Sequence, residues 1–535
     1  MNARAASILA DFFSASPLRH APFRRFYVGA IGAALGYTMQ STVAAWLMAT
    51  LTPSPFMVAL VQTASTAPPL LFGLVAGALA DIVDRRRVIV VTQIVLACST
   101  ALLGVLELAG VIGPAALLAF TFLIGTGFTI YLPAQGASTN DLVDRSEIPR
   151  AVALNAVAFN VARAVGPALA GAIAAAIGSG SAMLASAMFF GVMVVAVRGW
   201  RSPKRTIPGV PETIISGIQS GLRYTRHSPL MRALVLHNFS FTLCASALWA
   251  LLPVIARDQL GLGAGGFGML SAGFGLGAIT SAMLVPRGIH RTSLNTMVNA
   301  AVVLWTLSAL LVASTSYTAL ALVGAFGCGA SWVGCLASLS AGTQSSAPAW
   351  VRARAVAMNL ISGQIAMAFG AAIWGTLASA SGTRIALAVS AGAMLVLIGI
   401  NRVMRLKMGD EAMVTPGAAL PEIVMAIEPD PDDGPVLIQV EYRIDVPNQD
   451  EFLRLIRSNE TVRRRNGAVD WRVFRDLAED ARFVERFVIR SWAEYVRLRT
   501  RMTVADREIQ TRIESLQQTG VPVRVSRLIG VSLGA

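Results

Sequence analysis

Long apolar runs, each close to the roughly 20 residues that cross a bilayer as a helix, alternate along this chain with short polar connectors. They fall near 26–51, 56–80, 88–109, 114–137, 151–177, 181–198, 231–256, 264–285, 293–313, 317–341, 354–379 and 383–401, a pattern that predicts twelve spans. After Lys407 the pattern changes. GDEAMVTPGAALPEIVMAIEPDPDDGP is rich in proline and acid and reads as a linker. Strand-period runs follow it. In VLIQVEYRI, Val436, Ile438, Val440, Tyr442 and Ile444 alternate with Gln439, Glu441 and Arg443, the period of a half-buried strand. A helix fits 448–465, strands fit 470–477 and 482–491 about the turn 478–480, a second helix fits 493–517, and 521–529 closes as a fourth strand.

The order βαββαβ predicts a small α+β, ferredoxin-like domain. The fold class is therefore an all-α membrane protein with this soluble domain at its C-terminus. The chain divides into 1–198, a six-helix half; 199–228, a cytoplasmic linker; 229–403, a second six-helix half; 404–434, a linker; and 435–535, the soluble domain. In the first linker Ile214, Ile218, Leu222 and Thr225 recur at helical spacing, which predicts a short amphipathic surface helix. An ordinary polar connector is the alternative.

The two halves are copies. RAVALNAVAFNVARAVGPALAG at 150–171 returns as RAVAMNLISGQIAMAFGAAIWG at 354–375. At the offset 354 − 150 = 204, Arg150 pairs with Arg354, Asn155 with Asn359, Asn160 with Gln364, Gly166 with Gly370 and Gly171 with Gly375. Such internal repeats are a transporter pattern, with the site between the halves. Arg163 faces Met367 and Pro167 faces Ala371, so the first copy holds a charge and a helix-bending residue that the second lacks.

Composition agrees with the pattern. Of 535 residues 55% are hydrophobic and 14% charged, against about 25% charged in soluble proteins, and the mean hydropathy is +0.61. The net charge of +14 excludes little by itself, because arginines crowd alternate connectors. The positive-inside rule accounts for them without nucleic acid and puts both termini in the cytoplasm, as an even number of spans also requires. Cys98, Cys244, Cys328 and Cys335 lie in apolar runs without CxxC spacing, so no disulfide framework and no metal site is indicated. Residues 1–22 lack a signal-peptide core.

The candidate chemistry is sparse. Arg163 near the middle of a span costs a few kcal/mol to insert, so it must face a cavity or a partner, or else bond carbonyls of a neighbouring helix. Gln40, Tyr131, Asn160 and Gln364 are the polar groups able to line the same cavity; for Tyr131 and Gln364 interhelical packing is the plainer reading. His237 reads as a packed, neutral histidine. No acid lies mid-span, so no proton-binding residue is identified, and a substrate anion answering Arg163 remains open. The glycines Gly273, Gly275 and Gly277 sit inside a span without a flanking strand, and no Walker sequence occurs, so a phosphate loop fails its context. No cofactor is indicated. The C-terminal domain has neither histidine nor cysteine, which disfavours catalysis there.

Between the second and third spans, Gly73 and Gly77 are small residues suited to close helix approach, followed by Leu79, Ala80, Asp81, Arg85 and Arg86. This resembles the loop signature of the major facilitator superfamily, departing from it at Ile82 and Asp84. The resemblance implies a cytoplasmic gate at Gly77, Asp81, Arg85 and Arg86, one-sided because VPRGIHR at 285–291 has no acid. Gly166, Pro167 and Gly171 are similar to the helix-bending glycine-proline motif of the fifth helix in superfamily exporters. FRRFYVG, YTMQS, RAVALN, VEYRID and SWAEY resemble the branch that includes enterobactin exporters. The resemblance implies a multi-pass protein of the bacterial inner membrane that exports a small molecule, a siderophore, drug or metabolite, by alternating access powered by protons. Its C-terminal domain is similar to antibiotic-biosynthesis monooxygenase-like domains, an analogy of fold alone. The alternatives are a membrane-tethered enzyme and a nutrient importer on the same fold.

Overall fold

The computed structural model describes residues 16–144, 146–198, 200, 214–289, 291–417 and 429–531, without the side chains of 74, 81, 214–218, 287 and 289. The expected gate side chain of Asp81, the apolar face of the linker helix at Ile214 and Ile218, and much of both expected linkers lie outside the described residues.

The helices of the first half are α1 (Ala21–Leu51), α2 (Pro55–Ile82), α3 (Arg85–Leu108), α4 (Pro114–Asp141), α5 (Ile148–Ile177) and α6 (Ser179–Ala196). After α7 (Ile214–His227) come α8 (Pro229–Val254), α9 (Ala264–Ile289), α10 (Leu294–Ser314), α11 (Thr318–Ser346), α12 (Arg352–Ser381) and α13 (Thr383–Val403). Eleven of these are long and apolar enough to cross a membrane among the described residues. Helix α1 has the length but not the hydropathy, because it carries Thr38, Gln40, Ser41 and Thr42.

Local chemistry sets the helix ends. Proline stands in the first turn of α1, α2, α4 and α5, where its missing N–H is one that no intrahelical carbonyl would accept. The Asp84 carboxylate caps α3, accepting from the Arg87 amide at 3.0 Å. Gly178, at φ +92°, closes α5 in a conformation that disfavours any side chain. Many hydroxyls in the spans bond within their own helices, as in Thr42 to the Thr38 carbonyl and Thr121 to the Leu117 carbonyl, both 2.8 Å.

The chain forms two compact units: Met1–Pro208, His237–Ser338 and Ile361–Val403 in one, and Gly209–Leu236, Leu339–Leu360 and Met404–Ala535 in the other. In the first unit, close packing concentrates on glycines. The approach expected at Gly73 and Gly77 is not made, since a Cβ at either position would meet nothing within 4 Å. That role falls to Gly32 and Gly36 of α1, where a Cβ would stand 2.9 Å from the Phe189 carbonyl and 3.0 Å from the Ser186 carbonyl of α6. Gly277 and Gly329 likewise bring α9 and α11 into backbone contact, which gives the glycine run at 273–277 a packing role.

The second unit contains β1 (Val436–Arg443), α14 (Gln449–Asn466), β2 (Val469–Arg475), β3 (Arg482–Ile489), α15 (Trp492–Arg501), α16 (Val504–Glu514) and β4 (Arg524–Ile529). The strands pair antiparallel in the order β2-β3-β1-β4, the α+β arrangement the sequence predicts. Alternate residues of β1 and β3, Val436 with Ile489 and Ile438 with Phe487, pack the core with Phe452 and Ile456 of α14. The single helix expected over 493–517 is instead two. Thr503 and Asp506 form a reciprocal capping box, Thr503 Oγ1 accepting from the Asp506 amide at 3.3 Å and Asp506 Oδ2 from the Thr503 amide at 3.0 Å, which restarts the helix as α16.

Candidate functional site

The duplicated segment forms α5 and α12, and its glycines work in the same way in both copies. Gly166 lies against Thr38 of α1, whose hydroxyl donates to the Ala162 carbonyl at 3.0 Å, and Gly370 lies against Ser246 of α8. One turn further, each helix meets the opposite half. A Cβ on Gly171 would fall 2.8 Å from the Gly268 Cα of α9, and one on Gly375 would fall 2.5 Å from the Ala59 Cβ of α2. Thr63 of α2 continues that second seam by donating to the Ala368 carbonyl at 3.0 Å. The polar repeat pair is equally regular: Asn155 donates to Thr139 at 2.8 Å and Asn359 to Thr343 at 3.2 Å, both hydroxyls again 343 − 139 = 204 residues apart.

Between the seams a cavity of about 300 Å³ opens, with walls from α1, α2, α4, α5, α8, α9, α11 and α12. Arg163 and its repeat partner Met367 both line it, so the asymmetry between the two copies lies in the cavity itself. The Arg163 guanidinium sits 5.1 Å above the centroid of the Phe159 ring, a cation–π contact worth up to about 2 kcal/mol when desolvated. Among the described residues no carboxylate bridges it and none lines the cavity.

Of the five residues expected to line the cavity, the structure brings together Arg163 and Gln364. Gln40 is buried in α1 with its Nε2 unpartnered, Tyr131 is buried beside Phe128 at 5.7 Å between centroids, and Asn160 turns back to the Ala156 carbonyl at 2.9 Å. These three lie outside the lining. Sequence reasoning missed Tyr37, stacked parallel on Phe128 at 3.9 Å, along with Gln62, Trp249 and Trp332. The signal was present: Tyr37, Ser41 and Thr42 interrupt an apolar run, and Trp249 and Trp332 stand mid-span, where interfacial anchoring does not explain a tryptophan.

At the other end of the first half Arg85, at the start of α3, holds Asp141, at the end of α4, at 2.5 Å, with both side chains about nine-tenths buried. The resemblance groups Asp81, whose side chain lies outside the described residues, with Arg85 in the gate; Asp141, on the next helix pair, carried no motif. Ser345 occupies the position equivalent to Asp141, so the ion pair is not repeated. Gly77 faces open space and Arg86 is half-buried. Pro167 lies inside α5, where it removes a backbone donor, with Gly166 and Gly171 in the close approaches described above.

In the second unit the C-terminal domain grips the linker helix and the α11–α12 connection. Arg223 of α7 pairs with Glu494 of α15 at 2.6 Å. Arg465 binds Asp506 at 2.6 Å while stacking over Tyr224 at 5.6 Å, and Arg501 stacks over Trp350 at 4.2 Å. Burial pushes the Tyr224 phenol above its ordinary pKa, with the Arg465 charge opposing the shift. Inside the domain, the fully buried Glu485 carboxylate accepts from Trp471 at 2.8 Å, Tyr442 at 3.1 Å, Arg463 at 3.2 Å and Asn459 at 3.3 Å. Burial works against the Arg463 charge, but Glu485 together with Tyr442 and Tyr495 outweighs it and raises the guanidinium pKa.

Residues 13–533 match the family described as transmembrane secretion effector, a branch of the major facilitator superfamily. The chain belongs to that family. Among curated proteins it is similar to the multidrug efflux pump Tap of Mycolicibacterium fortuitum, 25% identical over 229 residues, which is 41% of this chain and 55% of that one. The chain thus spans about half the length of this relative. Among solved structures it is similar to an inward-facing, occupied bacterial homologue of the human lysosomal transporter Spinster, with TM-score 0.60 at 13% identity over 73% of this chain and 97% of that one. It is also similar to the nucleoside transporter NupG, with TM-score 0.56 at 14% identity over 72% and 98%. At these identities the structures share the superfamily fold, and this chain adds to that fold the α+β domain.

Proposed function

We propose that this secretion effector exports a small molecule from the bacterial cytoplasm by alternating access, with the Arg163 cavity as its substrate site and the proton gradient as its energy source. The observation that carries the reading is the cavity: it lies between duplicated helices, and the one charge among its described lining residues stands where the copies differ. In this reading α1 is a twelfth span, shielded by α5 and α6 from the lipid that its polar residues would avoid. Both termini are cytoplasmic, the two six-helix halves are joined by 199–228, and 435–535 is a soluble domain. Tight seams at Gly171 and Gly375, with open space over Gly73 and Gly77, support a state closed outside and open inside. In this reading Asp141 joins the gate of Gly77, Asp81, Arg85 and Arg86 through its ion pair with Arg85. Likeness to a multidrug efflux pump supports the outward direction, and the lack of a Walker sequence supports an ion gradient over ATP. Comparison of culture-medium metabolites from cells with and without the protein tests the reading. Depletion of at least one compound from the medium of the knockout is expected, and identical media under expressing conditions would overturn it.

A further inference from the structure

Three properties of the cavity bear on what it carries, given the exporter reading above on which this inference rests. Its only charge among the lining residues is the Arg163 guanidinium. A cation in a water-poor span costs a few kcal/mol unless something answers it, and what answers it in the structure is the face of Phe159, which gives attraction but accepts no hydrogen bond along the guanidinium edge. No carboxylate bridges it among the described residues, so the planar fork keeps donors for an incoming acceptor. A second property is the density of aromatic surface. Tyr37 and Phe128 are stacked parallel at 3.9 Å, and Trp249 and Trp332 stand 5.9 Å apart, all in the lining. The third is size: about 300 Å³ is at the lower end of the range for small-molecule sites.

We propose that the cavity takes a small, planar aromatic molecule carrying one negative charge, with its oxyanion on Arg163 and its ring among Tyr37, Phe128, Trp249 and Trp332. Each property excludes something. The lone positive charge disfavours cationic amphiphiles, since a like charge at close range in low dielectric is repelled. Arginine, unlike lysine, matches a planar oxyanion with two parallel donors. Flat aromatic walls favour a ring over an aliphatic chain of equal area. Gln62 and Gln364, also in the lining, supply neutral donors and acceptors for ring substituents and leave the net charge of the site unchanged. The substrate itself supplies the anion that the described lining residues lack, so loading the site removes an unanswered charge from the span.

The test is binding of four probes to the purified full-length protein in nanodiscs by titration calorimetry: 2-naphthoate, its neutral isostere 2-naphthamide, 2-naphthylmethylammonium and hexanoate. Naphthoate is expected to bind roughly tenfold or more tighter than the amide, as a charge-assisted hydrogen bond requires, with the ammonium weakest and hexanoate well below naphthoate. In Arg163→Gln the preference for naphthoate over the amide should disappear while amide binding persists. The wild-type comparison alone decides the charge class if the variant does not fold. Equal binding of naphthoate and amide, tightest binding of the ammonium, hexanoate matching naphthoate, or no binding of any probe would each overturn the proposal. The readout needs no transport, so a protein that binds naphthoate without exporting anything contradicts the exporter reading alone. One that exports neutral or cationic compounds and ignores naphthoate contradicts this inference alone.

Discussion

Gly171 of α5 and Gly268 of α9 pack backbone to backbone, a Cβ on either falling within 2.9 Å of the other's Cα. No side chain longer than hydrogen fits there without separating the helices. Gly268→Val should therefore force the seam open and bias the transporter toward the outward-open state. A cysteine placed at Ser271 in the cavity lining, in a Cys98→Ser background because Cys98 is the exposed native thiol, should become several-fold more reactive toward an impermeant maleimide added outside. Unchanged labelling in a folded variant would place the seam elsewhere.

Asp141 answers Arg85 in a largely dry setting, so Asp141→Asn takes a carboxylate away from a buried cation. A loss on the order of 3 kcal/mol is expected for such a broken pair, read as a lower thermal midpoint. The double variant Arg85→Gln with Asp141→Asn should recover part of it, because neither charge of the pair remains buried. Additive losses would mean that the two residues do not act as a pair.

The C-terminal domain is clamped to α7 and not merely tethered. Cutting the chain after Lys407 removes Glu494, the partner of Arg223, and Arg465, which stacks over Tyr224. The truncated protein should still insert, since every apolar span precedes the cut, but trypsin should cleave α7 at Arg223 or Arg226 many times faster. Glu494→Ala should give a smaller acceleration in the same region. Cleavage at the wild-type rate in both would show that the linker helix stands without the domain.

Glu485 collects four donors at the domain's centre. Glu485→Gln keeps its shape but strands Arg463, which is buried beside it and cation-stacked on Phe487 at 5.0 Å. Breaking such a buried pair costs about 3–5 kcal/mol, so hydrogen exchange in β1 and β3 should rise by two or more orders of magnitude. A domain as protected as wild type would mean that the cluster is held by its neutral hydrogen bonds.

Much of this architecture is legible in the sequence because membrane spans and strands announce themselves by period. The duplicated segment located α5 and α12 from identities such as Gly166 with Gly370, and the strand alternation of Val436–Ile444 located β1. The split of the last helix was not legible: Thr503 and Asp506 also fit a continuous helix, and only the capping geometry shows the break. For the cavity, Arg163 was found because a charge in a span demands an answer, whereas Tyr131 and Gln40 were misplaced because helical phase is not fixed by polarity alone. A buried tyrosine beside Phe128 and one facing a cavity look alike in one dimension. The Arg85–Asp141 pair escaped notice because its members lie 56 residues apart on different helices, with no motif to join them.

The central claim is that Arg163 holds an outbound substrate. It is tested most directly by flux of labelled 2-naphthoate into everted membrane vesicles carrying wild-type protein, Arg163→Lys or Arg163→Met. The claim predicts uptake dependent on an imposed proton gradient in the wild type, reduced by roughly tenfold in the Lys variant because the planar fork is lost, and abolished in the Met variant, which restores the repeat partner and should insert at least as well. Wild-type uptake by a folded Met variant would contradict it.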